Sequence, residues 1–340
     1  MEQKTLPQIV QRAAQQFGTN TAIEDGDLSF TYSELEAARL QAARAFLALG
    51  IGKGDRVAIW APNMHEWIVA CIGFQSIGAV LVPLNTRLKG AEAAFILQKS
   101  GARLLLTVGD FLGVNYPELL NNEDLPALER TIMFRGEAEG AIAWADFLVL
   151  GNDVSTAQAE ACAAAVTPND TLDLMFTSGT TGKPKGVVTS HGQNIRVFET
   201  WSEVVGLAEK DNYLVINPFF HSFGYKAGWL ASIIRGAKIL PVQVFDLDSV
   251  LEHIEKDRVS VLPGAPTIYQ SLLAHPRRGN YDTSSLRLAV TGAAAVPVEL
   301  VTRMRTELGF DTVLTAYGLT ETCGVVSICR EEDGAEIIAT

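Results

Sequence analysis

Apolar residues recur along this chain in two rhythms, and the switch between them defines its elements. Leu6, Val10, Ala13 and Phe17 fall on one face of a helix near the N-terminus. Asp25-Gly26 separates Thr21-Ala22-Ile23 from Leu28-Ser29-Phe30 and predicts a hairpin, and Thr31-Tyr32-Ser33-Glu34 has the form of a capping box opening a helix that runs to Leu49 and ends at Gly50. From Gly54 onward, short apolar runs at 56–60, 79–82 and 103–107 alternate with helical periods at 64–76 and 91–99. Residues 110–165 are less regular and end in an Ala-rich stretch at 157–165 that reads as linker or helix. The alternation then resumes. Strands are expected at 172–176, 213–216, 238–240, 259–262, 286–290 and 312–315, with helices at 191–206, 226–235, 248–257, 266–275 and 297–308. Such alternation implies an α/β fold with mostly parallel sheets and helices on both faces.

Composition narrows the function more than the fold. At 340 residues, with 48% hydrophobic and 19% charged positions, the chain can bury a sizeable core. A formal net charge of −12 argues against a nucleic-acid partner, because phosphate backbones need a basic face. Cys71, Cys162, Cys323 and Cys329 form no C-x-x-C pair, and no apolar stretch is long enough for a membrane span, so a reduced, cytoplasmic protein is expected.

One stretch concentrates the candidate chemistry. Thr177-Ser178-Gly179-Thr180-Thr181-Gly182-Lys183-Pro184-Lys185-Gly186 follows the apolar run Leu172 to Phe176, so a buried strand delivers glycines, hydroxyls and lysines to one place. Glycines let backbone N–H groups approach an anion, hydroxyls add neutral donors and lysines add positive charge, which suits polyphosphate. The stretch is neither a Walker P-loop, because Pro184 follows Lys183, nor a G-x-G-x-x-G dinucleotide turn. Every proposed motif falls just beyond the C-terminal end of a predicted strand, where open α/β sheets bind ligands.

This segment resembles the signature loop of the adenylate-forming superfamily, which includes acyl-CoA synthetases, peptide-synthetase adenylation domains and luciferases. Three further stretches fit in the same order: Pro218-Phe219-Phe220-His221-Ser222-Phe223-Gly224, Thr291-Gly292-Ala293-Ala294-Ala295 and Ala316-Tyr317-Gly318-Leu319-Thr320-Glu321. The resemblance implies the superfamily's large N-terminal AMP-binding domain, with a first αβα half over about 54–195 and a second over 18–50 plus 210–340. It implies ATP (AMP), Mg²⁺ and coenzyme A as cofactor and co-substrates, a small-molecule carboxylic acid as substrate, and leaves a homodimer open.

Residue by residue, the resemblance gives Thr177, Ser178, Gly179, Thr180, Thr181, Gly182, Lys183 and Lys185 to the phosphates, with Thr180 and Lys183 as catalytic groups. Gly292, Ala293, Ala294, Ala316, Tyr317, Gly318 and Thr320 would hold the nucleotide, and Glu321 would bind Mg²⁺. Phe220, His221, Phe223 and Gly224 would meet the acid. No Asp occurs between Asn212 and Arg235 to pair with a substrate ammonium, which disfavours amino acids.

The segments from Ile216 to Gly228 and from Val261 to Ile268 further resemble ligases that activate the propionate side chain of partly degraded sterol rings. The family's later ribose-binding aspartate and small C-terminal lid domain have no counterpart, so the chain reads as a truncated N-terminal domain. Other readings remain: a silent adenylate-binding domain, or a luciferase-type or peptide-synthetase adenylating enzyme.

Overall fold

The computed structural model describes residues 4–177 and 184–339. The chain divides into two compact units, Met1–Gly18 with Tyr32–Arg196 and Thr19–Thr31 with Val197–Thr340. It enters the first through α1 (Leu6–Phe17), which buries Leu6, Ile9, Val10 and Ala13 on the face that their spacing defines. The hairpin of β1 (Thr21–Asp25) and β2 (Leu28–Thr31) belongs to the second unit and turns at Gly26, whose φ of 62° favours glycine.

Of residues 18–50, this hairpin with Thr19 and Asn20 falls in the second unit. Helix α2 (Tyr32–Ala48) belongs to the first unit, because its apolar face is spent there. Phe46 meets Phe74 edge-on at 5.4 Å between ring centroids and Phe147 at 4.7 Å.

The first unit continues through β3 (Arg56–Trp60), α3 (His65–Ser76), β4 (Val80–Pro83), α4 (Gly90–Ser100) and β5 (Leu104–Val108). The irregular stretch then resolves into β6 (Arg130–Arg135), β7 (Ile142–Ala143), α5 (Trp144–Leu150) and α6 (Thr156–Ala165). The Ala-rich segment is therefore helix, and the Ser155 hydroxyl caps it by accepting from Gln158 N at 3.2 Å. β8 (Thr171–Thr177) and β9 (Lys185–Ser190) form an antiparallel pair, followed by α7 (His191–Val204), which belongs to the first unit only as far as Arg196.

The sheet order is β7-β6-β5-β3-β4-β8-β9, parallel except for that last pair. The path steps from β3 to β4 and then back past β3 to β5. Right-handed crossovers in opposite directions place α3 and α4 on opposite faces, as the alternating pattern predicts.

The second unit adds β10 (Asn212–Val215), β11 (Lys238–Pro241), α8 (Leu247–Lys256), α9 (Pro266–Ala274), β12 (Leu288–Gly292), α10 (Val298–Glu307), β13 (Thr312–Tyr317) and β14 (Ser327–Ile328). Two sheets, β10-β11-β1-β2 and β12-β13-β14, are linked through Val261, which bridges Tyr213 on one side and Leu288 on the other in parallel sense. The strand expected at 259–262 is thus reduced to bridges at Val261 and Gly264; Pro263 between them carries no N–H for a ladder. Leu214, Leu251, Leu262, Tyr269, Met304 and Val313 are core residues of this unit.

Candidate active site

In the first unit, the β8–β9 hairpin brings the two described ends of the Gly/Thr/Lys stretch level with each other. Thr177, half-buried, pairs directly with the exposed Lys185. The stretch therefore links two antiparallel strands, unlike a P-loop, which runs from strand into helix. Gly186 faces Phe176 across the ladder, and a Cβ there would lie 2.7 Å from the Leu174 side chain. Ser178, Gly179, Thr180, Thr181, Gly182 and Lys183 lie outside the described residues.

In the second unit, parallel pairing sets several strand ends side by side. Gly264 bridges Thr291, Thr291 pairs with Thr315, and Gly292 pairs with Ala316, so the Gly292–Ala294 turn and the Tyr317–Glu321 loop leave adjacent strands at one level. The segment after β10 is tied to them at a different point, where Asn217 Nδ2 donates to Pro263 O at 3.0 Å. All three motifs thus emerge at the carboxyl ends of the strands.

Residues 218–224 form a tight corner. His221 N donates to Pro218 O at 3.0 Å, and Tyr225 N donates to His221 O at 2.9 Å. Gly224 is required by close approach, since a Cβ would collide with the carbonyl oxygens of Asn217 and Pro218. The corner sorts the aromatics: Phe219 is fully buried and serves the core, whereas Phe220 and Phe223 are half-buried and His221 is exposed.

The Phe220 ring lies 5.6 Å from the His221 ring, tilted 48°. Although the edge of the imidazole reaches solvent, the protein packed around it desolvates the ring and lowers its pKa. His221 is consequently neutral at pH 7, with one nitrogen able to donate and the other to accept. The following segment, expected as an ordinary helix, begins with a π-helical turn at Tyr225–Leu230, in which Tyr225 stacks on Trp229 at 4.8 Å.

The turn after β12 and the loop after β13 carry backbone strain. Ala293 and Cys323 have φ of 64° and 62°, a region that non-glycine residues avoid at a cost of roughly 1–2 kcal/mol. Ala293 and Ala294 are exposed, and Gly292 must lack a side chain because a Cβ would meet Ala316 O. After Ala316 and the 58% exposed Tyr317, the chain folds back so tightly that a Cβ on Gly318 would strike Gly324 O.

The 3₁₀ turn Thr320–Thr322 closes this loop. Gly324 N donates to Leu319 O at 2.9 Å, and Val326 N donates to Tyr317 O at 2.8 Å. Gly324 itself lies against Ser222, 2.9 Å from its Cβ to a Cβ placed on the glycine, so the Glu321 loop is packed on the turn that carries His221. Glu321 and Tyr317 are exposed, and a surface carboxylate is the kind of oxygen ligand that Mg²⁺ takes alongside substrate phosphates.

Sequence reasoning missed the strained Ala293 and Cys323 and the crossing of Gly318 under Gly324. Only the spacing of those two glycines hinted at the crossing.

This arrangement coincides with membership of a known family. The chain belongs to the AMP-binding enzyme family, whose model matches residues 10–338. A methyl-dioxo-octahydroindenyl propanoyl:CoA ligase of Rhodococcus jostii is 46% identical over 342 residues, covering 99% of this chain. The ligase of the same name from Mycobacterium tuberculosis is 48% identical over 337 residues, also covering 99%. The chain spans 66% of the length of each.

Among solved structures, the inhibitor-bound N-terminal domain of FACL13 from Mycobacterium tuberculosis superposes with a TM-score of 0.86 at 27% identity, over 99% of this chain and 81% of that one. The anthranilate CoA ligase AuaEII bound to anthranoyl-AMP gives 0.85 at 25% identity, over 97% of this chain and 61% of that one. The fold is the N-terminal domain of the adenylate-forming enzymes.

Proposed function

We propose that this chain is the nucleotide- and acid-binding part of an AMP-forming acyl-CoA ligase, acting on a carboxylic acid with a bulky, largely apolar body. The observation that carries this reading is its 46% and 48% identity to two ligases named for a propanoyl group on a methylated dioxo-octahydroindene. A propionate on a fused-ring sterol remnant is accordingly the favoured acid. The half-buried Phe220 and Phe223 beside His221 suit an apolar ring system.

In the proposed chemistry, a carboxylate oxygen attacks the α-phosphorus of ATP and pyrophosphate leaves. The coenzyme A thiolate then attacks the acyl carbon, and AMP departs. Positioning and charge neutralisation supply most of the acceleration in such displacements. Thr177, Lys185 and the intervening residues 178–183, with Thr180 and Lys183 foremost, are assigned to the β- and γ-phosphates.

Tyr317 is assigned to stack on adenine, Gly292–Ala294 to form the opposite wall, Ala316 and Gly318 to admit the purine close to the backbone, and Thr320 to bond the α-phosphate. Mg²⁺, when bound, neutralises phosphate charge, and Glu321 would hold it. Neutral His221 can donate one hydrogen bond to the acid's carboxylate without forming an ion pair, so the nucleophilic oxygen keeps its negative charge.

The test is calorimetry of Mg-ATP binding to the chain, together with acid-dependent pyrophosphate exchange by the chain joined to the remaining third of the Rhodococcus jostii relative, across a panel of fused-ring propionates, fatty acids, aryl acids and amino acids. Mg-ATP should bind, and both Lys183→Ala and Glu321→Ala should weaken it. Unchanged affinity in both variants would remove the phosphate and metal assignments; preference for an amino acid would remove the substrate class.

A further inference from the structure

Beneath the β8–β9 hairpin lies a chain of buried polar groups that the proposed chemistry does not use. Asp173 on β8 and Asn194 on α7 are fully buried, and Thr189 on β9 is 3% exposed. Asn194 Nδ2 donates to Thr189 Oγ1 at 2.8 Å, and the Thr189 hydroxyl donates on to Asp173 Oδ1 at 2.6 Å. The same amide also donates to Ser190 O at 2.8 Å. Three elements are thereby joined through hydrogen bonds that polarise one another in a low-dielectric setting.

The backbone beside this chain is irregular in a way that the side chains correct. The pairs Thr171 with Ser190 and Asp173 with Thr189 leave Leu172 as an extra residue on β8. Its carbonyl accepts from Gln75 Nε2 at 3.0 Å. A bulge is a point at which register can slip by one residue, and a slip exchanges the faces of every side chain beyond it. The direct bond from Thr189 to Asp173 exists in one register only, the one that puts Thr177 opposite Lys185.

We propose that Asp173, Thr189 and Asn194 are positioning residues for polyphosphate: they lock the hairpin in the register that sets Thr177 and Lys185 level with each other. This inference rests on the assignment of that hairpin to the ATP phosphates. Its signature is a split between two nucleotides. ATP depends on the hairpin, whereas AMP is held through the Gly292–Ala294 and Tyr317–Glu321 loops of the second unit.

The experiment measures Mg-ATP and AMP affinities of the chain by calorimetry, alongside thermal unfolding. Thr189→Val keeps the side-chain shape, removes both hydrogen bonds of the hydroxyl, and should weaken Mg-ATP roughly tenfold while leaving AMP within about twofold. Asn194→Ala breaks the same chain at its other end and should give the same split. Thr189→Ser should restore Mg-ATP affinity. A fall in unfolding temperature with Mg-ATP affinity unchanged, or an equal loss for ATP and AMP, would overturn the positioning role and leave the ligase reading intact. Failure of the unsubstituted chain to bind Mg-ATP would overturn both.

Discussion

Leu6 N donates to His191 Nδ1 at 3.1 Å inside the first unit, so a buried imidazole must stay neutral to serve as an acceptor. Burial drives the His191 pKa down to about 4 from an ordinary value near 6.5; the Asp170 charge works against that fall and Lys53 with it. Below pH 6.5 the unfolded chain therefore binds a proton that the folded chain refuses. The stability due to neutral His191 is complete above that pH, declines as pH falls, and is exhausted near pH 4, a loss of about 3 kcal/mol. Urea unfolding at pH 7, 5.5 and 4.5 should trace that decline, and His191→Gln should flatten it. The strained Ala293 gives a second outcome at this scale. Ala293→Gly relieves the positive φ and should stabilise the chain by about 0.5–1 kcal/mol in urea titrations while weakening AMP, because the turn loses its fixed shape. Neither effect is written in the local sequence: only the fold buries His191 and bends the backbone at Ala293.

Among the elements, the loop between β13 and β14 has the least room to change. Gly318 passes under Gly324 O, and Gly324 rests on Ser222, so one methyl group at position 318 forces the Glu321 turn away from the His221 corner. Gly318→Ala should cost more than a typical surface substitution, about 2 kcal/mol or more by denaturant titration, and should weaken both Mg-ATP and AMP. That joint loss separates it from the hairpin variants, in which only ATP suffers. The elements themselves were largely legible, because strands and helices with a buried stripe carry the periodicity of their burial. β6 escaped notice since only Ile132, Met133 and Phe134 are buried between flanking arginines, too short a run to declare a strand. β9 escaped because Thr189 alone is buried in Lys185-Gly186-Val187-Val188-Thr189-Ser190, too little to show a period, and it is the pairing with β8 that makes it a strand. The π-helical turn at Tyr225–Leu230 has the same apolar content as the α-helix that the pattern predicts, and hydrophobic spacing does not encode which carbonyl each N–H selects.

For the whole molecule, length is the relevant quantity, since the chain spans 66% of its two ligase relatives. Chain 1–340 alone should give little acid-dependent pyrophosphate exchange. Joining it to the remaining third of the Rhodococcus jostii relative should raise that rate on the order of a hundredfold or more, the usual worth of one added transition-state donor. Equal rates for the chain and the fusion would place a complete active centre within these residues. The sequence by itself determined the class: the alternation of apolar runs with helical periods dictates parallel α/β layers, and four ordered motifs after strand ends carry the resemblance to the adenylate-forming family that the family match bears out. It could do so because periodicity and short motifs are local, each carried by residues within one element. Tertiary structure alone decided that α2 packs with the first unit through Phe46, that Phe219 is core while Phe220 is half-buried and His221 exposed, and that Asp173, Thr189 and Asn194 are hydrogen-bonded to one another beside the bulge at Leu172. Those outcomes turn on which of several apolar or polar partners a side chain meets across tens of residues, and contacts of that range leave no period in the chain that makes them.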